Sequence, residues 1–152
     1  MKVALCVGGA ACVWDDLAAL ERLVGGAWPG PIIACNDIGT LLPDLDHWVT
    51  LHVAKLPQWR QARAENGHPS HYETWSCENR TSVNHHWDHW TRGSSGFYAL
   101  GVALEGLGRD RAILAGIPMD AGKHAFRQTP WNAYRIYTRA WSDSAEGLRG
   151  RV

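Results

Sequence analysis

The sequence predicts a single α/β domain spanning residues 1–152, with a mostly parallel central sheet flanked by helices. Three observations predict it. Short, nearly continuous apolar runs recur, as in strands buried on both faces. They alternate with stretches whose apolar residues repeat at helical spacing, which implies crossovers between parallel strands. The length of 152 residues suits one domain of ordinary size and is short for two.

The first strand is read at Lys2 to Val7 (KVALCV), closed by Gly8-Gly9-Ala10-Ala11. Asp15 and Asp16 then precede Leu17, Leu20, Leu23 and Val24. Carboxylates suit a helix N-terminus, and Gly25-Gly26 supplies a stop. Pro31 to Cys35 (PIIAC) is the second strand, ending at Asn36-Asp37. Pro43 makes residues 38–45 irregular. His47 to Val53 alternates well enough for a third strand, Pro57 to Asn66 reads as a short helix, and His71 to Ser76 as a fourth strand. Residues 77–92 lack periodicity and are read as a long functional loop with at most one helical turn. Gly93-Ser94-Ser95-Gly96 starts a helix carrying Phe97, Leu100, Leu104 and Leu107, which Gly108 ends. Arg111 to Ile117 is the last clear strand. A second loop covers 118–130, and Trp131 to Leu148 is an amphipathic helix.

Composition excludes several classes. Fifteen basic residues balance fifteen acidic ones, so a generic nucleic-acid surface is not expected. No run approaches the roughly 20 apolar residues of a membrane span, and Val3 to Val7 is too short for a signal segment. Cys6, Cys12, Cys35 and Cys77 form no CxxC pair and read as thiols in a reducing compartment. A soluble, cytoplasmic protein is the expectation. The nine tryptophans suit a thick aromatic core, a stacking site or a homodimer interface.

In open parallel sheets, ligands bind beyond the carboxyl ends of the strands. Gly8, Gly9 and Ala10 stand at the first such end. They lack bulk, so their amides can approach a phosphate, or they simply form a tight turn. Asn36 and Asp37 stand at the second, as ribose contacts or as an Asx turn. Ser94, Ser95 and Gly96 open a helix, as a phosphate site or an ordinary cap. Gly116 and Met119 follow the last strand. His52, His85, His86 and His124 are the candidate acids or bases, since imidazole titrates near neutrality. Lys123, Arg92 and Arg127 are candidate phosphate contacts, and Cys77 is a conceivable nucleophile. Trp75, Trp87 and Trp90 either stack on a base or pack the sheet. His85 and His89 are four apart, which admits a metal reading completed by Asp88 or His124, without HExxH or CxxC to support it.

The segment Gly93 to Met119, GSSGFYALGVALEGLGRDRAILAGIPM, resembles a segment of bacterial sialyltransferases that use CMP-sialic acid. In that family a Ser-Gly helix start leads to a strand ending in Gly-Ile-Asp. Gly8-Gly9-Ala10 resembles its first glycine-rich loop, and Ala34-Cys35-Asn36-Asp37 its Arg-Cys-Asn segment. The same pattern is similar to Rossmann-like proteins of flagellar glycosylation loci, to pterin-pyrophosphokinase-like proteins, and to proteins of tailed phages and prophages. The resemblance implies a Rossmann-like fold. It implies that Asn36 contacts a nucleotide, that Gly8, Gly9 and Ala10 line its phosphates, and that Ser94, Ser95 and Gly96 lie beside them. Pro118 and Met119 depart from the family's acidic and aromatic residues. The expected function is therefore binding of a nucleotide or nucleotide sugar, with group transfer from it. The rivals are a phage-type protein that sequesters a host signalling nucleotide, and a metal-dependent hydrolase using His85, His86 and His89.

Overall fold

The computed structural model describes residues 1–130 and 133–152, with 127–130 as backbone alone. Six strands form one sheet: β1 (Val3–Val7), β2 (Ile32–Cys35), β3 (His47–Val49), β4 (Glu73–Ser76), β5 (His85–His86) and β6 (Arg111–Ala115). Their spatial order is β5-β4-β3-β2-β1-β6, and every neighbouring pair is parallel. The chain steps outward from β1 to β5, then returns to lay β6 on the other side of β1. The strand order therefore reverses between β1 and β6, where doubly wound sheets open a crevice. The predicted α/β class, with a parallel sheet between helices, is the observed one.

Pleating sorts the strand residues onto two faces. Ala4, Cys6, Ile33, Cys35, Val49 and Ala112 face one core, against α3 (Ser95–Gly101) and the Trp141 and Leu148 side chains of α4 (Tyr134–Leu148). Leu5, Val7, Ala34 and Trp48 face the other, against Val13 and Leu17 of α1 (Val13–Val24) and Leu56 of α2 (Leu56–Glu65). All seven residues of α3 are buried, including Ser95 and Gly96, which makes it the interior helix. It runs on into a π-helical turn, Val102–Gly106. Arg63 of α2 is 2% exposed and donates to the carbonyls of Gly39, Leu42, Pro43 and Pro69, fixing the irregular segment after β2.

Several boundaries differ from expectation. β3 stops at Val49 because the Thr50 hydroxyl turns back to accept the His52 amide, and a 3-10 turn, Val53–Lys55, follows. β6 stops at Ala115 because Gly116 takes a left-handed φ of 66°. The 77–92 region contains the two-residue strand β5, and 118–130 contains an antiparallel hairpin, β7 (Lys123–His124) with β8 (Arg127–Pro130). Trp131, the expected start of the last helix, lies outside the described residues. Among the described residues no helix is long and apolar enough to cross a membrane.

Candidate functional site

A cavity of about 420 Å³ opens at the carboxyl ends of β1, β2 and β6, at the point of strand-order reversal. Small-molecule sites run from about 300 to 1,000 Å³, so one compact ligand fits. Gly8, Gly9, Ala10, Asn36, Asp37, Ser94, Ser95, Gly96, Gly116 and Met119 all line it, as do His52, His124 and Lys123. The topology thus gathers these residues around one space.

How those residues are held changes what they can do. The amides of Gly8, Ala10 and Ala11 already donate to the carbonyls of Ala115, Gly116 and Lys123. The turn is therefore a knot between β1, β6 and the hairpin, and most of its amides are occupied. Its glycines answer to close approach. A Cβ on Gly8 would stand 2.6 Å from the Gly116 carbonyl oxygen, and one on Gly9 would stand 2.5 Å from His124 Nε2. The Gly116 amide donates to the Asp16 carboxylate at 2.8 Å, so an acidic side chain in the first turn of α1 fixes the end of β6.

Asn36 is the joint between three elements. It adopts a left-handed φ of 56°, which Asn tolerates better than most residues. Its Oδ1 accepts the Thr50 hydroxyl at 2.9 Å, and its Nδ2 donates to Ser95 Oγ at 3.0 Å. The side chain thereby ties β2 to the segment after β3 and to α3. Ser94 caps α3, accepting the Phe97 amide at 3.3 Å, and its hydroxyl points to Met119 Sδ at 3.8 Å. Both serines thus have internal partners.

The hairpin is strapped over the glycine turn. Ala125 donates its amide to the Gly9 carbonyl at 2.7 Å, and Ala10 pairs with His124 as in an antiparallel ladder. His124 Nδ1 accepts the Phe126 amide, while Nε2 faces Asp37 Oδ1 at 3.5 Å. An acceptor at Nδ1 places the proton on Nε2, toward the carboxylate. Both ring nitrogens serve the strap, so His124 joins β7 to the end of β2.

His85 and His86 lie elsewhere. They form the edge strand β5, outside the cavity lining. His85 Nε2 pairs with Glu73 at 2.7 Å and its ring stacks on Trp75, while His86 Nε2 meets the Cys77 carbonyl. His86 thus addresses the Cys77 backbone and not its thiol. His89 pairs with Asp88, and among the described residues no three His, Cys, Asp or Glu side chains converge as metal ligands. The three tryptophans pack the core: Trp75 is 7% exposed, Trp87 lies against Tyr98 and Trp90 against Phe97. Arg92 is exposed outside the lining, and the Arg127 side chain lies outside the described residues. Cys35 reaches the cavity, but burial holds its thiol well above its ordinary pKa, and Cys6 behind it is pushed up to about 12. Neither supplies a thiolate near neutral pH.

Sequence reasoning missed Lys55, Trp59 and Tyr137, which also line the cavity. Lys55 and Trp59 follow His52 at three- and four-residue spacing, a signal present in the sequence. That spacing puts them on one face of the 3-10 turn and α2.

No protein-family model matches the chain, nor does any curated protein or solved structure.

Proposed function

We propose that the cavity binds a nucleotide or nucleotide sugar. The observation that carries this reading is the convergence of the glycine turn, Asn36-Asp37, the α3 start and Gly116 on one cleft at the β1/β6 reversal. That is the place where doubly wound sheets hold such ligands. The sialyltransferase resemblance favours an activated sugar as the group carried. Group transfer from such a ligand needs a proton donor or acceptor within reach. Of the four candidate histidines, His52 lines the cavity with its ring unengaged by hydrogen bonds among the described residues. It is the acid or base this reading assigns.

A second reading, capture without turnover, is favoured by the engagement of both His124 nitrogens and the remoteness of His85 and His86. One experiment separates the two. Purified protein is incubated with nucleoside mono-, di- and triphosphates and nucleotide sugars, then denatured and analysed by chromatography and mass spectrometry. Intact ligand recovered with the protein supports capture, and cleaved or transferred product supports an enzyme. No retention of any member, with no product, overturns the nucleotide reading.

A further inference from the structure

Resting on the nucleotide reading above, we infer that the ligand's phosphate is held by the α2 wall of the cleft, by Lys55 and His52, with Trp59 beneath its planar ring, and not by the glycine turn. The glycine turn is poorly placed to receive an anion. Three of its amides donate to backbone carbonyls, and its Gly9 surface lies under the His124 ring. The α3 side offers little more. Ser94 is engaged by Phe97 and Met119, and Ser95 by Asn36. Asp37 and Asp120 on the rim near the hairpin offset the positive charge of Lys123 there.

The opposite wall is complementary. Lys55 and His52 are exposed, both line the cavity, and among the described residues neither side chain makes a hydrogen bond or ion pair. An ammonium on a flexible stem binds phosphate as a point charge without needing fixed geometry. The His52 ring N–H adds a donor to a phosphate oxygen. Trp59 stands one helical turn beyond Lys55, on a half-buried ring packed against the Leu5–Trp48 core. A rigid, packed indole facing a polar cleft suits stacking by a base, because every base has a π-face. The class of ligand is therefore a nucleoside phosphate whose charged end lies at the turn before α2 and whose ring lies along α2. The glycine turn, Asn36 and Ser95 shape the far wall.

The test is calorimetric titration with the four common ribonucleoside 5′-monophosphates and with the matching nucleosides. The wild type is compared with Lys55→Ala, His52→Ala and Trp59→Leu, each checked for an unchanged melting temperature. Lys55→Ala is expected to weaken monophosphate binding about tenfold while leaving the nucleoside within twofold. Its monophosphate affinity should also lose part of its salt dependence. His52→Ala should act the same way. Trp59→Leu should weaken monophosphate and nucleoside equally. A wild type that binds a monophosphate, with Lys55→Ala and His52→Ala both within twofold of it, overturns the α2 assignment and leaves the cleft reading standing. A wild type that binds no member of either set overturns both.

Discussion

Replacing Asn36 tests the central joint of the cleft, and its cost can be worked from the structure. The side chain bonds two partners, Thr50 at 2.9 Å and Ser95 at 3.0 Å, with Ser95 Oγ also 3.3 Å from Oδ1. Thr50 is fully buried and Ser95 is 9% exposed, so water replaces neither bond well. At about 1 kcal/mol each, their loss costs about 2 kcal/mol. The backbone adds a separate contribution. At φ 56° an alanine pays for its Cβ in the left-handed region, about 1 kcal/mol more than glycine or asparagine there. Asn36→Ala should therefore destabilise by about 3 kcal/mol and Asn36→Gly by about 2 kcal/mol. Urea denaturation at constant m-value measures both. The reasoning is refuted if Asn36→Ala costs less than about 1 kcal/mol, or if Asn36→Gly is the more damaging of the two.

Three further outcomes are expected. Gly9→Val should weaken nucleotide binding in calorimetry with far-UV dichroism unchanged, because its side chain takes the space of the His124 ring and displaces the hairpin that forms the far wall; unchanged affinity refutes this. Arg63→Met should cost about 3–5 kcal/mol by thermal unfolding, since it strands four carbonyl acceptors, and Arg63→Lys should recover less than half, lacking the planar fork. Burial holds the His47 imidazole below its ordinary pKa of 6.5, against Glu73 and Asp46, which favour its charged form, and with His85 and Arg109, which oppose it. The unfolded chain then binds the proton more readily. This contribution to stability is complete above pH 6.5 and declines as pH falls through that value toward the folded pKa. His47→Gln, which keeps an acceptor for the Trp75 indole N–H, should flatten the fall in melting temperature between pH 7.5 and 5.5, and an unchanged slope counts against the assignment.

The central strands were legible because burial on both faces leaves apolar runs such as Val3 to Val7 and Ile32 to Cys35. The helices were legible from periodicity, and α1 from its aspartates and glycine stop. The edge strand β5 was not, since a two-residue strand made of His85 and His86 has neither apolar character nor a period. The β7–β8 hairpin was hidden for another reason: its placement depends on pairing with the distant Gly9-Ala10 turn. Nothing in the sequence marks Arg63 as buried, and only the fold supplies the four carbonyls around it. The part of the cleft built from strand ends was legible, whereas its α2 side and its bonding were not. Asn36 carries the same residue type whether it faces a ligand or a threonine.

The position of β1 has a consequence for assembly. It pairs with β2 on one side and with β6 on the other, and β6 comes far later in the chain. As the polypeptide emerges, β1 to β4 can pair in sequence order while the second edge of β1 stays open. That edge is apolar, the kind that recruits strands from other molecules. Closure by β6 ends this exposure and, through Gly116 and the hairpin, completes the cleft in the same event. Variants that delay the docking of β6 should therefore aggregate during synthesis before any loss of equilibrium stability is measurable.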